Sequence, residues 1–252
     1  MTTVRDIDRF MSEWAKKELA EEWDNDGVML CGDLDGKVEK IIVCLEINEK
    51  TAKEAADKDC DLIVTHHPFI FRPLKKLCGT EFSLVSSLIA KGISVLSYHT
   101  RLDAASGGVN DALAQKIELS DVSEFAHLGR VGKLPFETDV KGFCEHIKEK
   151  LGCSSLKISS AACDKKIKRV AVLGGAGKDF VADAANIADA YVTGDLSHNA
   201  FITANEMGLL AVDAGHYYTE NPVVKVIAKR LSEEFSEADI QTAESLCPYT
   251  QI

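Results

Sequence analysis

The sequence predicts an α/β protein built from two α/β domains with largely parallel sheets. Apolar runs rich in β-branched residues alternate with segments of helical periodicity, which is typical of βαβ units. The chain has 252 residues, enough for one large core or two smaller ones. Because the elements fall into two series, we expect domains at residues 1–124 and 125–252, joined near Asp121 to Gly132.

An amphipathic helix opens the first series, because apolar side chains recur every three or four residues. These residues are Val4, Ile7, Phe10, Met11 and Trp14. A turn cluster follows at Gly32 to Gly36, and strands and helices then alternate. The expected elements are a strand at Ile41 to Ile47, a helix at Glu49 to Lys58, a strand at Asp61 to Thr65, a helix at Phe82 to Lys91 and a strand at Ile93 to Tyr98.

The second series begins after the loop that contains Gly107 and Gly108. Its expected elements are helices at Val109 to Ile117 and Thr138 to Lys150, and strands at Ser155 to Ile158, Lys168 to Leu173, Asp189 to Gly194 and Leu209 to Gly215. A last helix carries an apolar stripe. The stripe consists of Val223, Val224, Ile227, Leu231 and Phe235. We expect that this helix can pack back on the first domain.

Composition narrows the class of protein. The net charge is -11 and no dense run of Lys or Arg is present, which disfavours binding to nucleic acid or to anionic lipid. The N-terminus lacks the apolar run of a signal peptide or membrane helix, so we expect a cytoplasmic protein that does not engage membranes. Eight cysteines occur without a C-x-x-C pair and are interpreted mostly as reduced, small apolar residues.

The strongest local motif is THHP, Thr65 to Pro68, at the end of a predicted strand. Parallel sheets bind ligands at the carboxyl ends of their strands. Neighbouring side chains of a strand point to opposite faces, so His66 and His67 can reach two different metal ions more easily than chelate one. The alternative is that one histidine is buried and hydrogen-bonded while the other is exposed.

Two further strand ends supply metal-binding residue types. The strand at Ile93 to Tyr98 leads into His99 and Asp103, and the strand at Leu209 to Gly215 leads into His216 and Glu220. His216 and Glu220 are four residues apart and share a face if this segment is helical; a helix cap with a solvated glutamate is the alternative. Together, the three strand ends predict a site for two metal ions.

Imidazole and carboxylate ligands suit zinc, iron or manganese, and the sequence leaves the choice open. In a two-metal site the ions share a water whose pKa falls toward neutrality, so that it becomes a nucleophile. The residue pattern therefore favours a hydrolytic reaction.

Several longer motifs resemble those of the NIF-three-like dinuclear metal-centre proteins, also called the GTP cyclohydrolase 1 type 2 family. They are LAEEWDNDGV (Leu19 to Val28), CDLIVTHHPFIF (Cys60 to Phe71), YHTRLDAASGGVND (Tyr98 to Asp111), AVLGGAGKDF (Ala171 to Phe180), DAYVTGDLSH (Asp189 to His198) and DAGHYYTE (Asp213 to Glu220). They occur in the family's order and cover most of the chain. The length is similar to that of the family's short form, which lacks an inserted middle domain.

The resemblance implies a toroidal homohexamer of two-domain subunits, with two divalent metal ions between the domains of each. It implies that the metal ligands are His66, His67, Asp103, His216 and Glu220. By this mapping the first domain carries three of these residues and the second carries His216 and Glu220. His99 and His198 match other family positions near the site, where they would contact a metal ligand or the substrate.

Four positions depart from the family pattern. Glu46, Asn48, Arg101 and Asp195 stand where Asp, Thr, Asn and Glu are common. These differences concern contacts to the substrate more than metal binding. The glycine-rich loop at Gly174 to Asp179 could offer backbone N–H groups to an anion, but it matches neither a P-loop nor a dinucleotide fingerprint. A tight turn from strand to helix is the favoured interpretation.

The leading functional hypothesis is a metal-dependent hydrolase in which Glu220 or Asp103 bridges the ions or relays protons. The resemblance implies hydrolytic opening of the purine ring of GTP; another nucleotide or a phosphoester is the alternative substrate. A different class of function is a metal-stabilised hexameric scaffold or regulatory protein without turnover. A toroid that binds DNA is disfavoured by the net charge of -11.

Overall fold

The computed structural model describes residues 1–160, 165–244 and 247–250. Within them the strands are β1 (Gly27–Leu30), β2 (Lys40–Cys44), β3 (Leu62–Thr65), β4 (Ser94–Ser97), β5 (Ser120–Phe125), β6 (Gly129–Thr138), β7 (Lys157–Ile158), β8 (Ile167–Ala176), β9 (Ala190–Gly194), β10 (Leu210–Asp213) and β11 (Asp239–Thr242). The α-helices are α1 (Val4–Trp14), α2 (Glu49–Asp57), α3 (Gly79–Lys91), α4 (Thr100–Ala104), α5 (Val109–Lys116), α6 (Val140–Leu151), α7 (Val181–Ala185), α8 (His198–Glu206), α9 (His216–Glu220) and α10 (Pro222–Glu234).

The chain forms two compact units. The first comprises Met1–Ser106 and Val223–Leu246, and the second comprises Gly107–Pro222 and Cys247–Ile252. The division after Ser106 falls earlier than the expected one after residue 124. The segment expected to join the domains is instead part of a hairpin in the second unit, in which β5 pairs antiparallel with β6. The turn of the hairpin contains the left-handed residues Ala126 and His127, and no Gly or Pro marks it in the sequence.

The first unit contains a sheet in the order β1-β4-β3-β2-β11. From β4 to β11 all neighbouring strands are parallel, and β1 is an antiparallel edge strand. The sequence analysis did not predict β1 or β11, which are short and only partly buried. Since Thr65 is in register with Ser97, β3 and β4 end side by side. The residues that follow them therefore emerge at one edge.

Helices cover this sheet as the apolar patterns predict. Helix α1 begins at a capping box in which Thr3 accepts a hydrogen bond from the Asp6 N–H and the Asp6 carboxylate accepts one from the Thr3 N–H. The C-terminal helix α10 packs within the first unit, where the Phe235 ring lies 5.5 Å from that of Phe10. The central strands are buried along their whole length at β3 and β4, as the continuous apolar runs predict.

The second unit contains a sheet in the order β5-β6-β8-β9-β10-β7. The strands β8, β9 and β10 are parallel, with Val172, Val192 and Val212 in register, and the flanking strands are antiparallel. The buried side chains of the sheet pack on α5 and α6 through residues such as Leu113 and Phe143. Helix α6 starts at the cap residue Asp139 and ends at the left-handed Gly152.

The cysteines and the helices can be compared with the expectations from composition. Cys163 lies outside the described residues, and the seven described cysteines form no disulfide with one another. Cys44, Cys60 and Cys153 are buried, and burial raises the pKa of the Cys44 thiol to about 12. In the described part of the chain, no helix combines the length and apolar character that crossing a membrane requires.

Candidate metal centre

His66 follows directly after β3 and is fully buried. Its Nδ1 lies 2.9 Å from the carbonyl oxygen of Tyr98. A carbonyl oxygen only accepts hydrogen bonds, so Nδ1 carries the hydrogen and Nε2 presents its lone pair. This Nε2 lies 3.6 Å from Oδ1 of Asp103. The ring orientation that a metal-binding histidine needs is thus set by the backbone of the neighbouring strand.

Asp103 and His99 reach the same place from the end of β4. Asp103 lies in the five-residue helix α4, and His99 is the residue that precedes this helix. One potential ligand atom from each of His66, His99 and Asp103 lies within 4.8 Å of the other two. The structure therefore brings together two sequence-predicted residues and His99 in one group of nitrogen and oxygen donors.

His67 stands beside this group and is more open to solvent. Its side chain is 25% exposed, and its ring centroid lies 5.1 Å from that of His66. The Nδ1 atom of His67 is 3.4 Å from Oε2 of Glu46. Glu46 is one of the residues that depart from the family pattern, and it is a carboxylate beside a predicted metal ligand.

Asp24 is a carboxylate that the sequence analysis did not single out. Its side chain is 0% exposed, and its Oδ1 lies 2.8 Å from Nδ1 of His99. Burial by itself raises the pKa of Asp24, but hydrogen bonds from His99 and Thr100 outweigh burial and lower the pKa to about 2. The only sequence signal was its place in the motif LAEEWDNDGV, because its partners lie 75 and 76 residues away.

Arg101, which stands where Asn is common in the family, is buried in the first unit. It is 3% exposed, with its Nε 2.9 Å from Oδ2 of Asp26. Its guanidinium lies over the Tyr98 ring at 4.3 Å. Arg101 therefore connects α4 with Asp26 and Tyr98 inside the first unit.

In the second unit, His216 and Glu220 lie on one face of α9, as their spacing predicts. Nε2 of His216 is 2.9 Å from Oε2 of Glu220, whose side chain is 5% exposed. The other ring nitrogen, Nδ1, is 2.7 Å from Oδ2 of Asp195. Asp195 has a left-handed backbone with φ of 52°. A histidine held by a carboxylate on one side and directed to a second donor on the other is a common metal-binding arrangement.

The glycine-rich loop makes room for this pair. Gly175 has φ of +69°, and a β-carbon there would collide with Oε1 of Glu220. The N–H groups of Gly174, Gly175 and Gly177 donate to Asn110, Thr219 and Thr193. Because these N–H groups already have partners within the unit, the loop acts as the expected tight turn and does not offer them to an anion.

His198 is placed differently from the other histidines. It is exposed at the first residue of α8, and the candidate metal-binding groups found among the described residues do not include it. Its predicted role near the site therefore has no support from these groups.

The sequence matches the model of the Duf34/NIF3 (NGG1p interacting factor 3) family over residues 2–247. A protein of Clostridium acetobutylicum named GTP cyclohydrolase 1 type 2 homolog is 32% identical over 251 residues, which cover 95% of this chain and 93% of that protein. The family match confirms the resemblance that the motifs predict.

Two solved structures are similar to the chain over nearly its whole length. A Bacillus cereus protein related to NIF3 has the same fold, with a TM-score of 0.93 and 21% identity, covering 100% of this chain and 99% of that chain. Reduced HcgD from Methanocaldococcus jannaschii has a TM-score of 0.84 and 29% identity, covering 97% and 98% of the two chains. Because the family model matches residues 2–247 of its 252 residues, the chain belongs to the Duf34/NIF3 family.

Proposed function

We propose that this protein is a hydrolase that depends on two divalent metal ions. The proposed ligands are His66, His67, Asp103, His216 and Glu220. The observation that carries the proposal is the group of donors at the ends of β3 and β4, where the buried His66, in a fixed tautomer, lies 3.6 Å from the Asp103 carboxylate. Burying the His66 imidazole costs free energy, which metal binding would offset.

Each unit supplies imidazole and carboxylate donors of the kind that divalent ions bind. In the first unit, His66 presents the lone pair of Nε2 toward Asp103. In the second, His216 presents Nε2 toward Glu220 while Asp195 holds its other nitrogen. Neutral imidazoles together with carboxylates suit zinc, iron or manganese. The described candidate ligand groups contain no cysteine, which agrees with this choice.

Metal ions bound by these residues would supply Lewis-acid chemistry and lower the pKa of water. The chain itself supplies orientation and proton transfer. Asp103 and Glu220 are carboxylates next to imidazole nitrogens, so each could bridge the ions or accept a proton from the attacking water. The relatives named GTP cyclohydrolase 1 type 2 homolog favour a nucleotide substrate and ring opening of GTP; another nucleotide or a phosphoester is the alternative.

We also propose that the chain assembles into a homohexamer, as the family resemblance implies. Several large apolar side chains are exposed in the isolated chain, among them Trp23 and Ile89, each 60% exposed. Burial of such residues is a common driving force for association. Light scattering of the purified protein should give the mass of a hexamer, and a monomer mass at all concentrations would contradict this proposal.

The activity is tested by incubating metal-loaded protein with GTP, other nucleotides and phosphoesters. We expect hydrolysis of at least one of them, reduced by about 100-fold or more in Glu220→Gln, which removes the carboxylate but keeps its shape. Glu233→Gln is the matched control, because Glu233 is 65% exposed in α10 and outside the candidate groups; its activity should equal that of the unmodified protein. Metal binding without any turnover would favour the scaffold role instead.

A further inference from the structure

Asp24 lies in the loop before β1 and accepts hydrogen bonds from several groups at once. Oδ2 accepts from the backbone N–H of Thr100 at 2.9 Å and from the Thr100 hydroxyl at 2.6 Å. Oδ1 accepts from the N–H of Asn25 at 2.9 Å and lies 2.8 Å from Nδ1 of His99. A buried carboxylate with this many donors is held in one orientation.

The contact with Asp24 decides which nitrogen of His99 carries the hydrogen. Both carboxylate oxygens already accept from backbone N–H groups, so the carboxylate acts as the acceptor toward the imidazole. In the neutral ring Nδ1 is then the N–H nitrogen, and Nε2 carries the lone pair.

His99 is one of three residues whose potential metal-binding atoms lie close together. His99 belongs to the group with His66 and Asp103, whose donor atoms lie within 4.8 Å of one another. Nδ1 of His99 is engaged by Asp24, which leaves Nε2 as the ring nitrogen available to this group. His66 has the same tautomer for a different reason, because its Nδ1 donates to the Tyr98 carbonyl.

We propose that Asp24 is a positioning residue that locks His99 in the Nδ1–H tautomer, so that Nε2 is presented as an acceptor toward His66 and Asp103. The consequence for metal binding rests on the proposed function: Nε2 can bind an ion directly or accept a hydrogen bond from its water. The tautomer itself is a property of the protein alone, and it can be measured without metal.

The first experiment is nitrogen NMR of histidine-labelled protein that has been treated with a chelator, at alkaline pH where the imidazoles are neutral. The His99 signals are assigned by their loss in His99→Gln. We expect a pyridine-type Nε2 and a pyrrole-type Nδ1. A pyridine-type Nδ1 in the unmodified protein would overturn the proposal.

Asp24→Asn is the sharper variant, because it keeps the shape and replaces one acceptor by a donor. The Thr100 N–H is partly buried while the Asn25 N–H is exposed, so the amide oxygen should face Thr100 and the NH₂ group should face His99. We expect the hydrogen of His99 to move to Nε2. Thr100→Val, which leaves Asp24 and His99 unchanged, should keep the original tautomer. An unchanged tautomer in Asp24→Asn would contradict the inference.

Metal affinity then separates this inference from the proposed function. We expect Asp24→Asn to bind Mn²⁺ or Zn²⁺ about 10–100-fold more weakly than the unmodified protein, since residues that orient metal-site histidines typically have effects of this size. A tautomer that moves while metal affinity stays equal would overturn the positioning role and leave the proposed function intact. If Asp24→Asn does not fold, as judged by circular dichroism, the NMR result on the unmodified protein decides. Failure of the unmodified protein to bind any metal would overturn the proposed function, whereas the tautomer measurement would still decide the structural claim.

Discussion

The predicted metal ligands of the two units are held in different ways. In the first unit, His66 is fully buried, and its ring and that of His99 are fixed by partners from separate segments, the Tyr98 carbonyl and Asp24. In the second, His216 and Glu220 are one turn apart in a five-residue helix, and His216 is 33% exposed. Tertiary structure therefore brings the donors of the first group together, whereas the turn of one helix brings together the two donors of the second group, His216 and Glu220.

The comparison predicts that the second group is the more sensitive to a small substitution in the glycine-rich loop beside it. Gly175→Ala adds a methyl group where Glu220 Oε1 lies, at a residue with φ of +69°. We expect a loss of about 3 kcal/mol or more in the free energy of unfolding, from strain and collision combined. We also expect fewer bound ions per chain, because Glu220 is displaced. Urea unfolding and elemental analysis measure the two effects.

Gly152→Ala is the control that measures the cost of a left-handed backbone without a collision. Gly152 also has a left-handed φ, +76°, but a β-carbon there would meet nothing within 4 Å. This variant should lose only about 1 kcal/mol and keep its metal content. Equal losses for the two variants would show that Gly175 does not make room for Glu220.

The carboxylate that holds His99 in the first unit should make the folded state sensitive to acid. Folding lowers the pKa of Asp24 from 3.8 to about 2, so the folded state favours the ionised form. This contribution, about 2 kcal/mol, is complete above the unfolded pKa near 4 and is lost as the pH falls through about 2. The stability difference between the unmodified protein and Asp24→Asn should therefore be smaller at pH 3 than at pH 6. A difference that does not change with pH would contradict the lowered pKa of Asp24 in the folded state.

The smallest effect is expected at the other carboxylate that contacts a candidate histidine. Asp195 lies 2.7 Å from His216 but is 58% exposed, so water can replace it as an acceptor. Asp195→Asn should weaken metal binding by about 10-fold at most, at the lower end of the range for residues that orient metal ligands. Titration with Zn²⁺ beside Asp24→Asn gives the comparison; an Asp195 effect as large as that of Asp24 would remove the distinction between the two groups.

The sequence predicted those features that depend on local pattern. The THHP motif at the end of β3 and the spacing of His216 and Glu220 in α9 are visible because strand ends and helix turns relate neighbouring residues. The hairpin of β5 and β6 was missed, since its turn has left-handed Ala126 and His127 in place of Gly.

The role of Asp24 could not be predicted in the same way. It contacts His99 across 75 residues of sequence, and nothing local to the loop distinguishes it from the neighbouring acidic residues. The same reason applies to Asp195, which reaches His216 across 21 residues. Contacts that orient the candidate ligands are set by tertiary structure, and only the ligands themselves follow from pattern.

Metal content per chain tests the central claim most directly. Protein purified without chelator should contain about two divalent ions per chain by elemental analysis. The double variant Asp103→Ala, His216→Ala should contain almost none, while Glu233→Gln should match the unmodified protein. The account would be contradicted if the unmodified protein contained no metal and took up none from added Zn²⁺, Mn²⁺ or Fe²⁺. It would also be contradicted if the double variant retained both ions.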